Sequence, residues 1–174
     1  HLGVVLERIV YELNGVSCLG LEDESPKKNI MSSKSFGKPI QDLFHIQEAL
    51  SSYASRACEK LRSQKSKCKG IYVFIKTNSF QSNKPQYRNG LSVELDLPTS
   101  DTRIIISKAK KIMRSIYKEG FSFHKCGIML LDLVPEDYKQ SHFFNKNDND
   151  DQDDFMSLVD NLNKSMGPKT LFYL

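Results

Sequence analysis

One short run of residues in this chain, Ser32-Ser33-Lys34-Ser35, is suited to holding phosphate and not to making or breaking bonds. Hydroxyls, ammonium groups and strand N–H groups are the donors that phosphate oxygens accept from. Catalytic equipment is sparse. Nucleotidyl transfer by two metals needs a cluster of acidic ligands on a rigid scaffold. The seven carboxylates between Asp42 and Glu119 are spread out with no paired arrangement. The acidic run from Asp148 to Asp154 has the composition of a disordered linker, unable to preorganise a metal. Cys18, Cys58, Cys68 and Cys126 include no C-x-x-C pair, and His1, His45, His124 and His142 are equally scattered. No zinc site follows from that spacing, and the cysteines are expected to be free thiols in a reducing compartment. The expectation is no catalytic residue, no metal and no cofactor in this chain.

The charges are sorted into blocks. From residue 27 to 125 there are 20 Lys/Arg against 7 Asp/Glu, a local balance of +13. The two flanks hold 5 Lys/Arg against 14 Asp/Glu, or −9, and the total of +4 conceals the basic middle. A basic body of this kind meets a polyanion, because each neutralised phosphate releases counterions. The competing explanation is a solvated surface that keeps the protein soluble.

The elements that would position these groups can be read from periodicity. Leu2, Leu6, Ile9, Val10 and Leu13 share one helical face, ended by Asn14-Gly15. Residues 16–28 read as a linker. Residues 29–36 read as a strand stopped by Gly37 and Pro39. The clearest helix is 43–61, with Leu43, Ile46, Leu50, Tyr53, Ala54, Ala57 and Leu61 on one side. Residues 69–77 are rich in β-branched and aromatic types, and 91–97 alternate strictly. A helix follows Pro98-Thr-Ser-Asp and runs to about Glu119, with Ile105, Ala109, Ile112, Met113 and Ile116 inward. Residues 125–134 form the last strand.

The order βαββαβ predicts an α+β, ferredoxin-like four-stranded sheet with two helices on one face. A short N-terminal helix and an extended C-terminal tail complete it. Two helices cover only one face of such a sheet, so the other face is left as a binding surface. Beyond Pro135, residues 145–154 are expected to be a disordered acidic linker, 155–163 a short amphipathic helix, and 170–173 a strand. No apolar run reaches the roughly 18 residues of a membrane span. The first residues carry Glu7 and Glu12 instead of the basic start and apolar stretch of a signal peptide. A cytoplasmic protein without membrane contact is expected. The opening in mid-helix without Met suggests a piece of something longer.

Six segments in order resemble the C-terminal part of UmuC-type Y-family translesion DNA polymerases. They are Val5-Leu-Glu-Arg8 with Glu12-Leu13-Asn-Gly15, Met31-Ser-Ser-Lys-Ser-Phe-Gly37, Ser52-Tyr-Ala-Ser-Arg-Ala-Cys-Glu-Lys-Leu-Arg62, Lys76-Thr-Asn-Ser-Phe80, Phe155-Met-x-x-Val-Asp-x-Leu-Asn163 and Gly167-Pro-Lys-Thr-Leu171. The resemblance implies that 1–15 end the thumb, 16–28 link it onward, 29–134 are the little-finger DNA-binding domain, and 155–174 belong to a small tail domain. It implies an error-prone parent polymerase of the SOS damage response. That parent holds its two magnesium ions in a palm outside this chain, and a UmuD-type accessory subunit and RecA are its partners.

The resemblance also implies a grip on duplex template-primer DNA through Ser32, Ser33, Lys34, Ser35, His124 and Lys125. His124 stands where the family often carries a basic residue. Lys108, Lys110, Lys111 and Arg114 are expected on a solvated helix surface instead. Glu94 and Asp96 would repel phosphate, so the third strand is expected to lie away from the duplex. Gln140-Ser-His-Phe143-Phe144 resembles the short peptide by which bacterial polymerases dock on the sliding clamp, within a segment, 135–154, read as clamp motif plus linker. Two alternatives stand beside this. Tyr72 and Phe74 on one strand suit a domain that stacks RNA or single-strand bases, and the fold also serves as a plain protein-interaction module.

Overall fold

The computed structural model describes residues 3–18, 28–81, 83–138, 149–167 and 170–173. The elements run α1 (Val4–Leu13), β1 (Ile30–Ile40), α2 (Leu43–Ser63), β2 (Ser66–Thr77), β3 (Arg88–Thr99), α3 (Thr102–Ile116), β4 (Phe123–Pro135) and α4 (Asn149–Met166). The α+β class, the βαββαβ order and the two helices on one side of a four-stranded sheet are as expected. The sheet order is β1-β4-β2-β3, antiparallel throughout. β1 and β3 are therefore the edges, and β4 is slotted between β1 and β2.

Each core helix begins with a side-chain cap. The Asp42 carboxylate accepts from the Phe44 N–H at 3.3 Å, and Asp101 accepts from the Arg103 N–H at 2.7 Å. Such caps satisfy N–H groups left over at a helix start. The backbone bond from Phe44 is the main reason the Asp42 carboxyl titrates below its ordinary range. The inward face of α2 buries Ile46, Leu50, Tyr53, Ala54, Ala57, Cys58 and Leu61; that of α3 buries Ile105, Ala109, Ile112, Met113 and Ile116. They meet alternate residues of the sheet: Ile71, Val73 and Ile75 of β2, and Cys126, Ile128 and Leu130 of β4.

Several boundaries move. β1 runs through Gly37 and Pro39 to Ile40. The register breaks between Ser35 and Ile40, so Pro39 sits on an edge where no ladder bond is asked of it. β3 starts three residues early, at Arg88, because it follows its hairpin partner as far as Lys76. α4 begins at Asn149, so residues 149–154 are helical, not a disordered linker; acidic residues are favoured in a first helical turn by the helix dipole. Residues 170–173 form no strand. Thr170 makes a turn back to Gly167, and Leu171 is held at both its N–H and its carbonyl by the Asn163 side chain.

α4 packs on the helix side of the domain through buried Met156 and Val159. Its Asp160 takes a bidentate pair from Arg62 of α2, at 2.6 and 2.8 Å. Another Arg62 nitrogen donates to the Ser100 carbonyl and the Thr102 hydroxyl. Burial pushes the Arg62 pKa down, but the hydrogen bond and charge of Asp160 push it up, and the net shift is upward. α1 ends at Asn14-Gly15 as expected, and none of its residues is buried.

Candidate nucleic-acid interface

Residues directly opposite one another on neighbouring strands carry their side chains on the same face of the sheet. The register therefore sorts every sheet residue to one side or the other. Ile30, Ser32 and Lys34 of β1 pair with Leu130, Ile128 and Cys126 of β4, all three of which are in the core. Ser32 and Lys34 thus belong to the helix side, with Lys34 exposed at the sheet edge. Met31, Ser33 and Ser35 pair with Met129, Gly127 and Lys125 and belong to the uncovered side. The Ser32–Ser35 run, expected to act as one patch, is split between two faces by the period of two. His124 is passed over where the register moves from Lys76↔Lys125 to Thr77↔Phe123; it is the extra residue of a bulge beside Lys125.

Continuing the register across the sheet builds rows on the uncovered face. One row reads Ser35, Lys125, Lys76, Arg88, one residue from each strand in spatial order. Neighbouring strands lie about 4.8 Å apart, so the three cations stand side by side. None of them has an ion-pair partner among the described residues. The next row is Ser33, Gly127, Phe74, Gly90, and beyond it Met31, Met129, Tyr72, Ser92. Glu94 lies at the far end, opposite Gly70. Asp96 reaches to Lys108 of α3 at 3.4 Å. The sequence-based list missed Lys76 and Arg88. Lys76 continues the Tyr72, Phe74 alternation and was legible in that way. Arg88 was hidden because the strand signal begins only at Leu91.

The row of cations offers ionic contacts and no nucleophile. Cys126 adjoins Lys125 in sequence but faces the core, where burial pushes its thiol up to about 12. Cys58 is pushed up to about 12 in the same way, and the Cys68 thiol is also raised by burial. None of these thiols is a nucleophile near neutral pH. Among the described residues no three His, Cys, Asp or Glu side chains converge as a metal site would require. No helix among them is long and apolar enough to cross a membrane. Gln140, Phe143 and Phe144 lie outside the described residues.

Solved structures of DNA polymerases share the fold of this sheet and its two helices. A DinB-family error-prone DNA polymerase from Sulfolobus solfataricus matches 74% of this chain with 36% of its own, at a TM-score of 0.52 and 10% identity. The insertion ternary complex of Dbh DNA polymerase matches 75% with 35%, at a TM-score of 0.51 and 13% identity. At those identities the likeness is one of fold.

Sequence makes the assignment. Residues 27–143 match the model of the impB/mucB/samB family C-terminal domain, and the chain belongs to that family. Protein UmuC of Salmonella typhimurium LT2 is 39% identical over 99% of this chain, and protein ImpB of Salmonella typhimurium is 37% identical over 99%. The DNA polymerase IV of a Ureaplasma parvum strain is 24% identical over 82%. The chain spans 42% of the length of that UmuC and 41% of that ImpB.

Proposed function

We propose that this chain is the DNA-gripping part of an error-prone translesion DNA polymerase, laying the uncovered face of its sheet along the phosphates of a template-primer duplex. The row Lys125, Lys76, Arg88 carries the proposal: three cations on adjacent strands, without an ion-pair partner among the described residues, on the face without helices. Ser33 and Ser35 add hydroxyls on the same face, and the bulge brings His124 beside Lys125. Phosphate contacts of this kind hold and orient a duplex without reading its sequence. Nucleotidyl transfer belongs to the parent enzyme and to magnesium held elsewhere in it. Tethering to the sliding clamp through Gln140, Phe143 and Phe144, work in the SOS response, and contacts with a UmuD-type subunit and RecA are part of the same proposal, resting on the likeness to UmuC-type proteins.

Fluorescence anisotropy on a blunt duplex at several salt concentrations tests the grip. With three to five contacts the slope of log K against log salt is expected at roughly −3 to −5. Replacing Lys125, Lys76 and Arg88 together by alanine is expected to flatten it by about 3 units. Lys34→Ala, on the other side of the edge strand, and Lys110→Ala, on α3, are expected to change it by well under one unit each. A triple variant that keeps the wild-type slope would overturn the assignment of this face.

A further inference from the structure

The uncovered face is only half ionic, and the remainder is apolar in a specific way. Tyr72 and Phe74 project from β2 onto it with ring centroids 5.9 Å apart and planes 23° from parallel. Both rings lean down onto the sheet, and glycines make the room. A Cβ at Gly90 would stand 2.3 Å from the Tyr72 hydroxyl oxygen and 2.7 Å from the ring carbon bearing it. One at Gly127 would stand 2.8 Å from two Phe74 ring carbons. The pair is flanked by Met129 and by Met31, the latter 52% exposed. The Tyr72 hydroxyl has no hydrogen-bond partner among the described residues. The result is a low aromatic ledge, one strand repeat of roughly 6.6 Å from the cation row.

A ledge of this kind is of little use to a duplex, which offers a protein its backbone and base edges while the base faces stay inside the stack. An unpaired nucleotide offers both a base face and a phosphate, at about the separation of these two rows. Aromatic side chains beside a basic track are the means by which proteins hold single strands without regard to sequence. Charge argues against an apolar protein segment as the occupant: Lys125, Lys76 and Arg88 border the ledge on one side. The one carboxylate of the register rows, Glu94, is one row beyond Tyr72 and two from Phe74, on the side away from the cations.

We infer that the ledge of Tyr72 and Phe74 binds an unpaired base whose phosphate is held by Lys76 and Lys125, so that the chain prefers DNA with a single-stranded template overhang to blunt duplex. This rests on the phosphate-row reading of the same face and extends it to a second form of DNA.

Anisotropy with three labelled DNAs in the same buffer tests it: a blunt duplex, that duplex with a 5′ overhang, and the same overhang made of abasic residues. The last keeps every added phosphate and lacks the bases. The expected result is tighter binding of the natural overhang than of either other DNA, by about fivefold or more, as one stacked base provides. The Tyr72→Ala, Phe74→Leu double variant is expected to erase that ratio and leave blunt-duplex affinity and its salt slope within twofold of wild type. Phe74→Leu alone, which keeps apolar volume, is expected to lose part of the ratio, with folding checked by thermal melting.

Equal binding of natural and abasic overhangs overturns the inference. So does a double variant that weakens all three DNAs alike. Concentration-dependent self-association abolished by the same substitutions, with no overhang preference, would assign the ledge to a protein contact and also overturn it. Failure of the phosphate row shows separately, as blunt-duplex binding indifferent to loss of Lys125, Lys76 and Arg88.

Discussion

The two faces of one sheet in this protein are built from the same four strands and share almost no chemistry. The side toward α2 and α3 holds Ile71, Val73, Ile75, Ile128 and Leu130, fully or almost fully buried. The other side holds Lys76, Arg88, Lys125, three serines, three glycines, two methionines, Glu94 and an aromatic pair. The strand period of two keeps these sets apart residue by residue. A lysine and its chain neighbour therefore do different things. Lys125 stands in a row of cations, whereas Cys126 beside it is a core residue. The sequence shows how many cations there are, but register decides which of them can act together.

The sharpest way to break this contrast is from within. Ile128→Ala removes a fully buried side chain from β4 on the helix side. It is expected to destabilise the fold by about 3 kcal/mol, as cavity-forming core truncations do. Urea unfolding measures this, and the DNA affinity of the molecules still folded should be unchanged. A loss below about 1 kcal/mol would mean that the core is looser than its burial indicates.

Gly127→Ala attacks the same strand one residue earlier, from the other face. Its added methyl would stand 2.4 Å from Ser33 Cβ and 2.8 Å from Phe74. Phe74 can swing away, but Ser33 Cβ is fixed to the β1 backbone. A cost of about 2 kcal/mol is expected, in the range of overpacking. Unlike Ile128→Ala, this change should also displace Phe74 and reduce any preference for an overhang. Wild-type stability with an unaltered preference would show that the face tolerates a side chain there.

The smallest effect is expected from pH. Burial raises the thiol pKa values of Cys58, Cys68 and Cys126, so the fold favours their neutral forms. A group whose folded pKa is raised contributes fully below its unfolded value, about 8.5 for a thiol, and progressively less as pH rises toward the folded value. Stability should therefore be insensitive to these groups at neutral pH and decline above about pH 9. In the native protein a thiol reagent at pH 8 should react with Cys18 quickly and with the other three only after unfolding. Four fast thiols would contradict the burial.

Much of the fold was legible because its signals are local. The apolar faces of α2 and α3, the capped start of α3 and the strict alternation of β3 are each set by a few neighbouring residues. Strand order is not local. Nothing near residues 30–40 says that β1 will be an edge beside β4, and that placement is what allows Pro39 inside a strand. The candidate site was legible only in part for the same reason. Ser33, Ser35 and Lys125 were found as basic or hydroxyl-bearing strand residues, and the register brings them to one face. Ser32 and Lys34 were grouped with them by chain proximity, which a sheet does not respect. Arg88 escaped because its strand character comes from pairing with Lys76, not from its own surroundings. The helical start of α4 was concealed by composition: a run of aspartates reads as linker until a helix begins within it.

Both edges of the sheet carry a proline, Pro39 in β1 and Pro98 in β3, and neither central strand has one between its ends. On β1 the paired register is continuous only from Ile30 to Ser35. Lys34 and Lys38 stand exposed along it. A foreign strand seeking to extend the sheet meets a short template, an unwelcoming charge and then a residue with no N–H to offer. The β1 rim of a sheet left uncovered on one face is thereby a poor template for a further strand.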